Sequence, residues 1–285
     1  MTVLSSGAAA ASAADDGSGT KRHADGLAVM QRMGEGDAGS LGNGDPPKTA
    51  RFMQRTLGAL GSFNTDVVLG SVWARPQLTR RERSLVVISA LMAQGASGAN
   101  EFDYHTKVAI NHGVTRTEIE EAVLHVAGYA GIPSGMPAMR AVDDAFRSLD
   151  GLGPTDRLPE REGAPARTDA ERWADASDVR KTLTGGRANP DSEADRAAMV
   201  AALGGVGEIA FDFAFGDIWS RPGMSRRDRS LVVLSILGTL AREDEIELYH
   251  AAGGLNHGLY VHQQPANACV HGPICNVNTR HPGGA

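Results

Sequence analysis

The chain has 285 residues and a formal net charge of −6, with 41% hydrophobic but only 5% aromatic residues. That length can bury one large core or two modest ones, and abundant Ala and Gly favour close-packed helices over a β-sandwich. A negative balance without a basic stripe argues against a nucleic-acid partner, and no apolar run approaches the roughly 20 residues that span a bilayer.

Residues 1–20 read as a disordered tail of Ala, Ser, Gly and Asp. They lack the basic start and continuous apolar stretch of a signal peptide. Two cysteines, Cys269 and Cys275, exclude a disulfide framework and leave the reducing cytoplasm as the expected compartment.

From residue 21 the pattern is helical. Thr79 and Glu82 have capping-box spacing, and the apolar run Leu85–Met92 follows them. The segment 99–112 carries Phe102, His105, Ala109 and His112 at spacings of three, four and three, and stops at Gly113, a residue suited to the position after a helix. Thr115 and Glu118 form a second capping box, opening IEEAVLHVAGYAG. Gly131-Ile132-Pro133 breaks the chain before a last helix to about Leu149. The stretch 150–167 is rich in Pro, Gly and charge and reads as a linker.

A second copy of the unit follows. WARPQLTRRERSLVVIS from Trp73 matches WSRPGMSRRDRSLVVLS from Trp219 without a gap, and HADGLAVMQRM from His23 resembles WADASDVRKTL from Trp173. Thr168 and Glu171 cap the first helix of this copy. The expected organisation is unit 1 over 21–149, an incomplete unit 2 over 168–259, and an irregular tail over 260–285, where the repeat is lost after Leu259. No segment alternates like a strand, so the fold class is all-α.

Chemistry is expected first on the helix 99–112. His105 projects from its apolar stripe with Glu101 one turn earlier, a pairing that favours the cationic imidazole and suits a proton donor. The same spacing fits a core histidine satisfied by a neighbouring glutamate. Arg83 and Arg229 sit at matched positions, where an arginine either clamps a carboxylate or snorkels to the surface. Arg80, Arg81, Arg226 and Arg227 are expected on solvated first turns, and Trp73 and Trp219 as packing anchors. There is no phosphate loop, no H-E-x-x-H, and no ordinary zinc spacing among His262, Cys269, His271 and Cys275. No metal is expected.

R-x-R-S-L, E-F-x-x-H, the N-H-G-V-T turn and Y-A-G-I-P together closely resemble the carboxymuconolactone decarboxylase family, over most of 21–149 and again from about 168 to 258. The resemblance implies an AhpD-like helical fold in tandem duplication, assembling as a homo-oligomer, with the two-unit chain trimerising into a pseudo-hexamer. Peroxidase relatives carry C-x-x-C-x-x-x-H, but Gly98 and Glu101 stand at those cysteine positions in the first copy, and Glu243 and Ile246 in the second. The implied activity is therefore a decarboxylase or related lyase working without a cofactor on a small carboxylated lactone or β-keto-acid-like compound. The alternatives are a tailoring enzyme of an aromatic natural-product pathway and a non-catalytic oligomeric binding protein.

In the decarboxylase reading His105 with Glu101 returns the proton, Arg83 holds a carboxylate or enolate oxygen, and Ser84, Tyr129 and Pro133 contact the small-molecule carboxylate. The second-copy equivalents are His250, Arg229 and Glu247, expected to be weaker because Ile246 replaces the glutamate one turn before His250.

Overall fold

In a computed structural model, described for residues 18–36, 38, 45–95, 99–153, 155–161, 163 and 166–260, the chain is all-α with no strand among the described residues. Residues 1–17 of the expected tail 1–20, residues 261–285 of the expected tail 260–285, and Gly98 lie outside them, whereas Ser18–Thr20, expected in the disordered tail, begin a helix. No helix among the described residues is long and apolar enough to cross a membrane. The chain divides into two compact units, Met1–Gly34 with Gly42–Pro76 and Glu35–Leu41 with Gln77–Ala285.

In the first unit α1 (Ser18–Met33) lies on π1 (Asn64–Trp73), a π-helical stretch. Their backbones touch: a Cβ on Gly26 would sit 2.1 Å from the Thr65 carbonyl oxygen, and one on Gly70 would sit 2.0 Å from that of Arg22. Only glycine permits such an approach. α2 (Pro46–Leu57) and α3 (Ala59–Phe63) form a hairpin at Gly58 that runs on into π1.

In the second unit α4 (Arg80–Ala93), α5 (Ala99–Asn111), α6 (Arg116–Ala130) and α7 (Ile132–Leu149) surround a core of Leu85, Ile88, Met92, Phe102, Ile119, Val126 and Val142. The starts of α4 and α6 carry both halves of the capping boxes read from sequence, as does α8 (Asp169–Leu183) at Thr168. Gly113 has φ +86°, as its place after α5 requires.

α9 (Ser192–Leu203) and α10 (Gly205–Ile209) make another hairpin, continuing into π2 (Ala210–Trp219), which lies on α8. α11 (Arg226–Thr239) then packs on the core of α4–α7, adding Val232 and Ile236, with Met224 from the turn before it. The last described helices are α12 (Glu243–Glu245), π3 (Ile246–His250) and α13 (Ala251–Asn256).

The contact between α4 and α11 is reciprocal. Arg81 reaches Asp228 on α11 at 3.2 Å and also Glu118, while Arg227 reaches Glu82 on α4. This corrects the expectation that Arg81 and Arg227 lie on solvated turns. Side chains on matching positions of the two first turns face each other, so each guanidinium finds the other helix's capping carboxylate. Arg80 is exposed, as expected.

Candidate active site

The side chain of Arg229 is fully buried. A buried guanidinium needs acceptors on every side. Three are backbone carbonyls where π2 ends and the chain turns into α11: Met224 O at 3.2 Å from Nε, Ile218 O at 3.1 Å from Nη1, and Arg221 O at 2.7 Å from Nη2. These are the carbonyls that a helix end leaves without partners. The counter-charge is Glu121 of α6, whose Oε2 lies 2.9 Å from Nη2 and whose Oε1 accepts from Arg221 Nε at 2.6 Å. Burial lowers the Arg229 pKa from its ordinary value, and Glu121 opposes that shift. Nη1 also donates to His125 Nε2 at 3.1 Å.

His125 opens onto a cluster of rings. Trp219, at the end of π2, donates from Nε1 to the Tyr129 hydroxyl at 2.9 Å. The His125 ring meets Trp219 edge-on at 5.2 Å, and Tyr129 meets His250 edge-on at 5.2 Å. His250 lies nearly parallel to Trp219, with centroids 6.2 Å apart. Beside them His257 is held at both nitrogens, Nδ1 by Ser230 Oγ at 2.7 Å and Nε2 by Thr182 Oγ1 at 3.0 Å.

Every imidazole in this cluster is pushed toward neutrality. Burial, then the nearby His257, brings His250 down to about 4. Burial, then Arg229 and His250, takes His125 well below its ordinary range. Burial, then Arg226, lowers His257. Burial raises the Tyr129 phenol, despite the bond from Trp219. Near pH 7 the cluster is thus a neutral, apolar seat with one buried ion pair behind it. Two polar atoms are left over: Nδ1 of His125 and Nδ1 of His250 are buried and have no hydrogen-bond partner.

The residues expected from sequence are distributed unevenly around this seat. His250, Arg229 and Tyr129 belong to it. His105 is half-buried on α5, where burial lowers its pKa and Glu101 opposes this only through its charge. The expectation of a favoured imidazolium at His105 is corrected accordingly. Glu101 is exposed and makes no hydrogen bond to the ring, so water screens it. Arg83 is half-buried, and Ser84 is buried with Oγ 2.8 Å from His112 Nδ1, repeating the Ser230–His257 pair. Pro133 is exposed in the first turn of α7, and Glu247 is exposed on π3. Trp219 is a packing anchor and also a donor.

Sequence reading missed Glu121 and His125 as site residues. Their signal was present: Glu121, His125 and Tyr129 recur every four residues in EAVLHVAGY, which puts two polar groups and a phenol on one helix face. Among the described residues no group of three His, Cys, Asp or Glu side chains could hold a metal ion; His262, Cys269, His271 and Cys275 lie outside them.

Comparison with known proteins agrees with the helical motifs. The model of the carboxymuconolactone decarboxylase family matches residues 59–144. A 4-carboxymuconolactone decarboxylase from Acinetobacter baylyi is 37% identical over 111 residues, covering 36% of this chain and 81% of that protein. A nitrosuccinic acid decarboxylase from Metarhizium robertsii is 48% identical over 75 residues, covering 26% of this chain and 51% of that protein. The chain belongs to the carboxymuconolactone decarboxylase family.

Proposed function

We propose that this protein is a decarboxylase that removes CO2 from a small carboxylate, such as a carboxylated lactone or a β-keto-acid-like compound, and that the reaction runs at the His250 cluster. The observation that carries this reading is the neutral, buried His250 with an unpartnered Nδ1, packed against Trp219 and Tyr129 beside the Arg229–Glu121 pair. The two decarboxylases named above support the reaction class.

Loss of CO2 leaves an electron pair that must delocalise onto an oxygen of the substrate, and the carbon must then take a proton. The reaction consumes one proton overall, and His250 supplies it. In the free protein His250 is neutral near pH 7. A substrate carboxylate entering a site of low polarity favours the imidazolium, so the proton arrives together with the substrate. Trp219 and Tyr129 hold the imidazole ring and keep water out. The sequence pattern alone favours the same role for His105 with Glu101 and Arg83, and the two seats are separable by experiment. CO2 release from 4-carboxymuconolactone and from nitrosuccinate is measured for the unmodified chain and for His250→Gln and His105→Gln. Loss confined to His250→Gln is the expected result; loss confined to His105→Gln moves the reaction to the other seat.

Association into a trimer that acts as a pseudo-hexamer belongs to the same proposal. In its support, Leu57, Leu60 and Phe63 in one unit and Leu203, Val206 and Ile209 in the other are each about half exposed or more, a large apolar display for a chain that stays single. Sedimentation of Leu60→Glu/Val206→Glu against the unmodified chain tests it: a shift to smaller species is expected.

A further inference from the structure

The unpartnered nitrogen of His125 has a definite protonation, and that defines a chemical role. A guanidinium has only donors, so Arg229 must donate to His125 Nε2, which presents its lone pair. A neutral imidazole has one proton, and with Nε2 accepting, that proton sits on Nδ1. The resulting Nδ1–H is fully buried and has no acceptor, within the same cluster of rings as the unpartnered Nδ1 of His250. A buried donor held in one tautomer by a buried ion pair, with nothing to bond to, is arranged for an acceptor that arrives with a ligand.

We infer that His125 is a catalytic residue, whose Nδ1–H donates to the substrate oxygen on which negative charge collects as CO2 leaves. Arg229 and Glu121 are positioning residues that fix its tautomer. The inference rests on the decarboxylase reading of the His250 cluster. The bond between the carboxylate carbon and its neighbour breaks, and the electron pair moves through that neighbour onto the conjugated oxygen. CO2 departs, and the oxygen, now an enolate, is held by Nδ1–H without proton transfer. The carbon then takes the proton carried by His250, which came from solvent, and neutral His250 is restored. His125 ends as it began.

Two substitutions separate this role from packing. Gln places an amide where Nε2 accepts from Arg229 and removes the Nδ1 donor; Asn places an amide N–H where Nδ1 was and removes the acceptor. His125→Gln should lower kcat about a hundredfold, with KM and unfolding temperature little changed. His125→Asn should lose clearly less kcat than His125→Gln while unfolding at a lower temperature, because Arg229 loses an acceptor. A merely structural His125 gives the reverse order, and that order, or equal loss of kcat in both, overturns the assignment.

As an independent readout, nitrogen-edited NMR of the full chain should show the His125 proton on Nδ1, moving when succinate is added. A proton on Nε2, or an unmoved signal, overturns the assignment too. Failure of the underlying reading looks different: the unmodified chain releases no CO2 from either substrate, yet succinate still moves the Nδ1–H signal. If CO2 is released and His125→Gln keeps pace with the unmodified chain, only the donor role falls.

Discussion

His105 and His250 begin from the same frame, and their surroundings start alike. Seven residues beyond each stands a second histidine, His112 or His257, bonded to a serine on the helix before it, Ser84 or Ser230. The difference comes from α6. It lends Glu121, His125 and Tyr129 to Arg229, Trp219 and His250, so that seat is assembled from distant parts of the chain. The stretch after Leu259 reads YVHQQPANACVHGPIC, with no E-I-E-E and no Y-A-G. Repeating a histidine does not repeat a site. What faces the histidine decides whether it is buried, neutral and flanked by donors.

The sharpest test of this contrast is turnover. Replacing His250 with Gln should lower kcat about a thousandfold, the scale of a lost proton donor, while the same change at His105 should alter it less than about threefold. Comparable losses at both would break the contrast. Next in size is the arginine pair. Arg229→Met takes one of two guanidinium partners from the buried Glu121 and leaves three carbonyls without a donor. That should cost about 3–5 kcal/mol, whereas Arg83→Met, at a half-buried position, should cost about 1 kcal/mol or less. Chemical denaturation of the two variants measures the difference directly.

What sequence revealed and what it hid divides by the range of the interaction. Capping boxes at Thr79, Thr115 and Thr168, the stop at Gly113 and the break at Gly131 involve neighbours within four residues, and each stands where the pattern put it. The hairpins at Gly58 and Gly204 were overlooked, although LGALG and LGGVG mark both with the same spacing. Burial of Arg229 was illegible, because it depends on α6 and π2 closing over it from distant parts of the chain. Glu101 acts on His105 only through its charge, for the opposite reason. Helical spacing makes contact possible, but an exposed carboxylate has water as a better partner.

Acidification is the third test. The folded-state pKa of His250 lies near 4, below the ordinary 6.5 of an unfolded histidine. Above pH 6.5 the ring is neutral in both states and its contribution to stability is fully present. Between 6.5 and 4 the unfolded chain binds a proton that the folded chain refuses, so stability falls, by about 3 kcal/mol in all for this residue. Below 4 no further loss comes from it. Urea midpoints taken from pH 7 down to pH 5 should therefore decline, and His250→Phe should flatten that decline more than His105→Phe. His105 is shifted in the same direction, but it is only half-buried and Glu101 opposes the shift.

The smallest effect isolates chemistry from packing. Ser84→Ala and Ser230→Ala each remove one hydroxyl bond to a histidine, at 2.8 Å and 2.7 Å, from a buried position. Their stability costs should match, at about 1 kcal/mol each. Their effects on turnover should not. His257 flanks Trp219 and is one of the charges acting on His250, so losing the serine that fixes it should disturb the His250 seat and lower kcat severalfold. His112 is not among the charges acting on His250, and Ser84→Ala should leave kcat unchanged. Equal stability losses with unequal turnover would show that the two serines are the same in structure and differ only in what α6 has placed opposite them; equal turnover would put the two histidine sites on the same footing.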